Sequence, residues 1–359
     1  MSLEEQVNNI GIVVRIHSNY FYVAFENITW ECMLRNKLKK EGVEPKVGDR
    51  VAIAQLNTGN NTAVITSILP RRNELFKPNI SNIDQVVIVT STDEPTFNPL
   101  ILDKFIVMSE SHNMIPLICI NKSDKLDTQL KKFMDDTYSG LNYEVIYTSA
   151  LTGEGLDLLK LSLLDKVTVL TGISGVGKSS LLNSLDSSLN LETGEVSKNL
   201  GTGRHTTRHV SLQKLVFKEK LALIADTPGF SYIEFNNINS GELAWNFSEF
   251  TPFISECPLR GCLHWQEPDC NLKKNIGTNG SRYLNYLNIL FDILKLEKIS
   301  KARSTKKETQ VKITHRADGK NIRVIKLAGD AREDSRRTVK QELAEIGKIN
   351  SLEDLDEEY

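Results

Sequence analysis

The sequence predicts a multidomain chain: an N-terminal β-barrel, a central α/β domain with a mainly parallel sheet, and a mostly helical C-terminal region. Three observations carry this. Short β-branched and aromatic runs crowd residues 10–70, apolar strand-like runs alternate with helical segments from 86 to 226, and beyond 236 the strand rhythm stops around Cys257, Cys262 and Cys270.

In the first region the runs are GIVVRI, YFYVAF, WECML, DRVAIA and AVITSIL, separated by turn-forming clusters that include PKVGD and NTGNN. Five short strands in so few residues suggest a small barrel, over 1–70. Residues 71–79 (RRNELFKPN) are polar and read as a linker. Strands are then expected at VVIVT, PLICI, YEVIYTS and VTVLTG, with helices near 99–112, 126–138, 154–164 and 177–188, and a strand pair over 210–226. Apolar strands that alternate with helices argue for a sheet covered on both faces. RYLNYLNILFDILKLEKI (282–299) has helical spacing, whereas 300–340 is charged, poor in large apolar groups and expected to be loosely structured.

The bulk composition excludes little. With 359 residues, 40% hydrophobic and 25% charged, the chain can bury a core without disulfide staples. Its net charge of −2 predicts no particular partner, but the distribution is uneven: eleven Lys/Arg against three acids from Lys295 to Lys326, then five acids in the last nine residues. MSLEEQVNN lacks the apolar core of a secretory signal, and no run approaches the ~20 apolar residues of a membrane span. The expectation is a cytoplasmic protein with no membrane partner, acting as a monomer.

Gly172-Ile173-Ser174-Gly175-Val176-Gly177-Lys178-Ser179 fits the phosphate loop G-x-x-x-x-G-K-[ST], with a strand before it and a helix after it. Glycines let several N–H groups converge on one phosphate, and the helix adds the positive end of its dipole. Lys178 should reach the β- and γ-phosphates, and Ser179 should ligate Mg²⁺. The base is read elsewhere. Asn121-Lys122-Ser123-Asp124 follows the strand PLICI, and a carboxylate there can accept from both the ring N1–H and the exocyclic amine of guanine. Adenine lacks that donor pair and would leave the carboxylate unpaired. Ser149 and Ala150 end a further strand, where small residues let backbone N–H groups approach the guanine oxygen.

Asp226-Thr227-Pro228-Gly229 follows the strand LALIA: Asp226 is expected to hold Mg²⁺ through a water and the Gly229 N–H to meet a γ-phosphate. Between the phosphate loop and Asp226 lies GTGRHTTRH (201–209), where a switch loop must offer a threonine to Mg²⁺; of the adjacent pair Thr206 and Thr207, Thr207 is preferred. Phe230 stands where many GTPases carry a water-positioning Gln, so hydrolysis should be slow alone. His205 is a candidate substitute for that Gln, alongside Lys178 and Thr207 in the catalytic set. The motif order Asn121, Ser149, Gly172, Thr207, Asp226 is a circular permutation of the usual GTPase order, cut just after the second switch. The cysteine region therefore follows that switch directly and the barrel enters beside the guanine-reading half. Nucleotide state is expected to be read as the angle between the cysteine region and the GTPase domain.

Cys257-x4-Cys262-x-His264-x5-Cys270 supplies three thiolates and an imidazole, a closed tetrahedral set for one structural zinc. The fold class that emerges is a small β-barrel (1–70), a circularly permuted α/β P-loop GTPase domain (71–235), a zinc-binding, mostly helical domain (236–300) and a charged C-terminal extension (301–359).

Together these residues resemble a known family, the ribosome small-subunit-dependent GTPase A proteins of bacteria. The resemblance covers roughly residues 8–300 and rests on VGDRV, RRNELFKP, NKSD, GISGVGKSS, GRHTT, DTPGF, the spaced Cys/His set and RYLNYL. It implies an OB-fold for the barrel, and a GTPase that acts in late maturation of the small ribosomal subunit, with hydrolysis stimulated by that subunit. It also implies guanine reading by Asn121, Lys122 and Asp124, phosphate holding by residues 172–180, and zinc on Cys257, Cys262, His264 and Cys270. No role carries over to the chain beyond about 300. The residues alone are consistent with GTP/GDP binding and with rRNA contact, through an OB platform and the basic run 295–326. Two other readings remain open on sequence: an RNA-binding scaffold regulated by GTP whose hydrolysis is not essential, and a GTPase serving a protein or membrane partner.

Overall fold

A computed structural model of the chain describes residues 9–75, 79–189, 210–217, 220–226, 238–308, 311–315 and 321–325. The barrel is built from β1 (Ile10–His17), β2 (Tyr20–Phe25), β3 (Ile28–Leu34), the short helix α1 (Asn36–Lys40), β4 (Arg50–Asn57) and β5 (Thr62–Ile68). The strands run in the order β1-β2-β3-β5-β4, and β1 pairs back with β4 to close the ring. Only β3 and β5 are parallel within it. Alternation sends Val13, Val23, Trp30, Val51 and Ile65 inward, while Tyr20 lies exposed and Tyr22 half-buried on either side of buried Phe21. Breaks in register at Val13/Arg15 and along β4 supply the bends that closure needs.

The segment read as a linker is instead an ordered clasp. Its β6 (Glu74–Leu75) pairs with β7 (Ile80–Ser81), and Arg71 grips fully buried Asp49 of the barrel through Nε and a terminal nitrogen at 2.8 and 2.9 Å. Ser81 Oγ donates to the same carboxylate at 2.6 Å, and Asn82 Nδ2 donates to the Gly48 carbonyl at 3.1 Å. Polar composition was misleading because these polar groups satisfy one another out of water.

The α/β domain alternates as the sequence predicts: β8 (Gln85–Ser91), α2 (Pro99–Ser111), β9 (Ile115–Asn121), α3 (Thr128–Thr137), β10 (Glu144–Tyr147), α4 (Leu156–Leu163), β11 (Val167–Thr171), α5 (Lys178–Leu185), β12 (Ser211–Phe217) and β13 (Lys220–Asp226). Strands β10-β9-β8-β11-β13 are parallel, and β12 is antiparallel to β13. Val86 and Ile88 pack into one apolar cluster while Val87 and Val89 pack into another, so the sheet is covered on both faces. The chain enters this sheet at β8, but the barrel lies against the opposite flank from β10, where β1 pairs with β12 through Arg15 and Ser211. An edge strand offers unpaired backbone groups, and β1 meets them there.

Past β13 the chain forms a short turn of helix (Leu243–Asn246), α6 (Thr251–Ile254), α7 (Asn271–Ile276) and the long α8 (Ser281–Glu308). On α8 the buried residues Tyr283, Tyr286, Ile289, Leu290 and Ile293 recur at helical spacing. Phe247 and Phe250 stack at 4.8 Å, and both meet the Tyr286 ring edge-on. The chain divides into two compact units, Met1–Ile293 and Leu294–Tyr359, with α8 crossing the boundary. In the second unit α8 continues to Glu308 and β14 (Val311–His315) pairs antiparallel with β15 (Asn321–Ile325), which corrects the expectation of loose structure for these described residues of 300–340. Low apolar content says that a segment has little core of its own. It does not measure local propensity, and KARSTKKE is good helix sequence while VKITH and NIRVI are β-branched. Among the described residues no helix is long and apolar enough to cross a membrane.

Candidate nucleotide-binding site and metal centre

The base-reading and phosphate-loop residues converge at the carboxyl ends of the parallel strands, where an open α/β sheet places its ligands. β9 ends in Asn121, β10 leads to Ser149 and Ala150, β11 feeds the phosphate loop, and β13 ends in Asp226. Because β11 and β13 are neighbours, the start of α5 with Ser179 and the end of β13 with Asp226 lie at the same end of adjacent strands.

The phosphate loop is held open by its glycines. Gly172, Gly175 and Gly177 all have positive φ. A Cβ on Gly172 would collide with the Val89 carbonyl oxygen, and one on Gly177 with the Asn121 side-chain amide. Val176 is buried as the loop's anchor, while Ser174 and Gly175 are exposed at its crest and Ile173, Ser179 and Ser180 are partly buried. Lys178 opens α5, with its ammonium bonded to the Gly172 and Ile173 carbonyls at 2.7 and 3.0 Å. Partial burial lowers the pKa of this lysine. Among the described residues its partners are these neutral carbonyls, and a partly desolvated ammonium would gain from a phosphate.

Asn121 joins the two halves of the site. Its Nδ2 donates to the Val176 carbonyl at 2.9 Å, and its Oδ1 accepts from the Ala150 N–H at 3.2 Å. Lys122 takes a left-handed conformation at φ 62 and donates to the carbonyls of Glu94 and Gly175, reaching across to the crest of the loop. Ser123 donates through its backbone to Thr148 at 2.9 Å and through its hydroxyl to Glu154 at 2.9 Å. Asp124, the carboxylate expected to read guanine, accepts from buried Ser149 Oγ at 2.5 Å, which fixes its direction.

Sequence reasoning missed two residues here. Thr92 Oγ1 donates to the Lys122 carbonyl at 2.6 Å, and Glu154 supports Ser149 through its backbone as well as Ser123 through its side chain. Thr92 follows directly on β8, so its position past a strand end was the one signal that could have found it. His205, Thr206, Thr207, Gly229 and Phe230 lie outside the described residues, as does the Asp226 side chain.

The Cys/His set does converge. One ligand atom each from Cys257, Cys262, His264 and Cys270 lies within 4.8 Å of the others. Ligands at the Zn–S distance on a tetrahedron sit ~3.8 Å apart, and Cys257 Sγ lies 3.9 Å from Cys270 Sγ. His264 Nδ1 is 3.5 and 3.3 Å from those sulfurs. Burial pushes the Cys262 thiol up to about 12, raises Cys270 and lowers His264. A divalent cation reverses the thiol shifts by deprotonating its ligands, so these residues fit zinc, with the soft donors it prefers. The knuckle is braced around them. Glu267 accepts from the N–H groups of Leu263 and Trp265 at 2.7 and 2.9 Å, while Tyr283 and Tyr286 donate to the His264 and Leu263 carbonyls, each at 2.7 Å.

The chain matches two family models, RsgA N-terminal domain over 10–65 and RsgA GTPase over 68–236. It is 42% identical over 267 residues to a protein of Geobacillus thermodenitrificans named small ribosomal subunit biogenesis GTPase RsgA, covering 74% of this chain and 89% of that one. The chain belongs to the RsgA GTPase family. A second RsgA, from Caldanaerobacter subterraneus subsp. tengcongensis, is 39% identical over 291 residues, covering 80% of this chain and 97% of its own length. Among solved structures, YjeQ from Thermotoga maritima is 35% identical with a TM-score of 0.67, covering 80% of this chain and 98% of that one. YloQ, described as a circularly permuted GTPase, is 31% identical with a TM-score of 0.68, covering 82% and 98%. The permuted order read from the motifs is thus the architecture of the RsgA fold, and membership makes the chain a GTP-hydrolysing enzyme.

Proposed function

We propose that the chain is a GTPase that binds the small ribosomal subunit and assists its late maturation, hydrolysing GTP to GDP and phosphate with stimulation by the subunit. The carrying observation is the single constellation in which Asn121 ties the guanine loop to the phosphate loop, in a chain alike over most of its length to proteins named for small-subunit biogenesis.

In this reading Asp124 and the N–H groups around Ser149 and Ala150 take guanine, while residues 172–180 and Lys178 take the phosphates. Ser179, Thr207 and Asp226 offer oxygen ligands suited to magnesium, which when bound neutralises charge on the β- and γ-phosphates. Cys257, Cys262, His264 and Cys270 hold one structural zinc. Phe230 cannot orient water, so a partner must complete the site with His205 and Thr207, and the subunit is that partner. The closed barrel and the basic run 295–326 are the surfaces for rRNA. One chain supplies every named site residue, which supports a monomer, and work on ribosomal subunits supports the cytoplasm.

The test is turnover of GTP and of ATP, each with and without purified small subunits. GTP hydrolysis should be weak alone and strongly raised by subunits, with ATP inert; absence of both stimulation and GTP-dependent co-sedimentation rejects the reading. The apolar residue at Phe230 keeps one rival in play, a scaffold whose docking nucleotide regulates without hydrolysis being needed. Under that rival, Lys178→Ala protein would still complete maturation.

A further inference from the structure

Arg282 is buried at 6% exposure in the first turn of α8, an unusual place for a guanidinium. It donates to Asp103 Oδ1 of α2 at 2.5 Å and to both oxygens of Glu249 at 2.6 and 3.1 Å. Asp103 is itself fully buried and accepts also from Asn285 Nδ2 at 2.6 Å and Tyr138 OH at 3.1 Å. The guanidinium lies 5.5 Å from the Tyr138 ring centre, 5.6 Å from that of Tyr143 and 5.0 Å from that of Phe247. Tyr138 closes the end of α3 and Tyr143 precedes β10. Both therefore belong to the stretch that starts at Asp124 and ends at Ser149, the two residues whose 2.5 Å hydrogen bond aims the guanine-reading carboxylate.

The same turn of α8 faces the metal centre. Tyr283 and Tyr286 hold the His264 and Leu263 carbonyls, and His264 sits at φ 55, a conformation a non-glycine residue keeps only when its surroundings impose it. Residues 282, 283 and 286 are thus one rigid lever with the knuckle at one end and the α2–α3–β10 core at the other.

We propose that Arg282 is a positioning residue for guanine recognition, through which metal at the Cys₃His centre and nucleotide at the Asp124 loop tighten each other's binding. This rests on the reading of those two sites as zinc and guanine-nucleotide sites. The coupling runs through packed, hydrogen-bonded groups, from the knuckle through Tyr283 and Arg282 to Asp103 and Tyr138, and by linkage it must be reciprocal.

The test uses the full chain. A fluorescent guanine nucleotide is titrated into zinc-loaded and chelator-stripped protein, and zinc loss to a chromogenic chelator is followed with and without saturating GDP. Stripping should weaken nucleotide binding about fivefold or more, and GDP should weaken zinc release by the same factor at equilibrium. Arg282→Lys keeps the charge but loses the planar fork; it should keep zinc, bind nucleotide more weakly and lose the zinc dependence of that binding. Lys104→Ala breaks the other α2–α8 ion pair, Lys104–Asp292 at 2.6 Å, and should leave the coupling in place. Equal nucleotide affinity with and without zinc in the unmutated chain overturns the proposal, whatever the variants do, and so does undiminished coupling in folded Arg282→Lys. A chain that binds no guanine nucleotide at all overturns the site reading beneath it, so the two failures are told apart.

Discussion

At the residue scale the proposed guanine site rests on one carboxylate, Asp124, held by one hydroxyl, Ser149. Asp124→Asn replaces an acceptor pair with an acceptor and a donor, so guanine loses one partner and gains a clash of donors. Affinity for GDP should fall by at least about a hundredfold while a base with a carbonyl in place of the exocyclic amine gains, which competition between guanine and xanthine nucleotides would show. Arg282→Met leaves the Asp103 carboxylate buried without its counter-charge. Burial already raises that carboxyl against the opposing pull of Arg282, Asn285 and Tyr138. The substitution should lower stability by about 3–5 kcal/mol in urea unfolding. Asp124 was legible in the sequence because guanine demands a fixed residue type inside a contiguous tetrapeptide. Arg282 and Asp103 were not legible as a pair, since 179 residues separate them and the segment RYLNYL, which Arg282 opens, carries no sign of a partner in α2.

At the scale of elements, the phosphate loop shows why glycine stands where it does. Gly172→Ala would drive a methyl into the Val89 carbonyl at a φ of +141. Nucleotide binding should be abolished with the far-ultraviolet circular dichroism of the rest retained. Strands and helices of the α/β domain were legible because each buries both faces or one stripe and its apolar period shows it. The clasp around Arg71 was not, because its signal is polar and its partner Asp49 lies in another element. Asp49→Ala should cost about 3–5 kcal/mol by leaving Arg71, Ser81 and the backbone N–H of Lys46 without their shared acceptor, measurable as a lowered urea midpoint. The convergence of Cys257, Cys262, His264 and Cys270 was legible from spacing alone. Tyr283 and Tyr286 were visible in RYLNYL and in the helical period, but their bracing of the His264 and Leu263 carbonyls was not.

For the whole molecule, the expected reading of nucleotide state as a domain angle meets an energetic threshold. Swinging the cysteine region away from α2 would break Arg282–Asp103, a buried pair worth about 3–5 kcal/mol to break. The basic extension carries a separate prediction. Replacing Arg303, Lys306 and Lys307 with Gln should weaken RNA binding and reduce the slope of log affinity against log salt by ~0.7–0.9 for each phosphate no longer neutralised, with GTP turnover in the absence of RNA unchanged. Net charge hid this run, because acidic residues in the tail and elsewhere in the chain outweigh it in the sum.

The strand order β10-β9-β8-β11-β13 has a consequence for biosynthesis. As the chain leaves the ribosome that makes it, the barrel comes first and then β8, β9 and β10, which are consecutive in sequence and adjacent in the sheet. They can assemble as a three-stranded nucleus before the rest is translated. β11 then adds to the free side of β8, bringing the phosphate loop, and the β12–β13 hairpin follows. A nascent chain stalled after β10 holds its base-reading groups with nothing to hold the phosphates. The phosphate loop begins only at Gly172, past the end of β10 at Tyr147, so a copy stalled after β10 does not compete for GTP with finished ones.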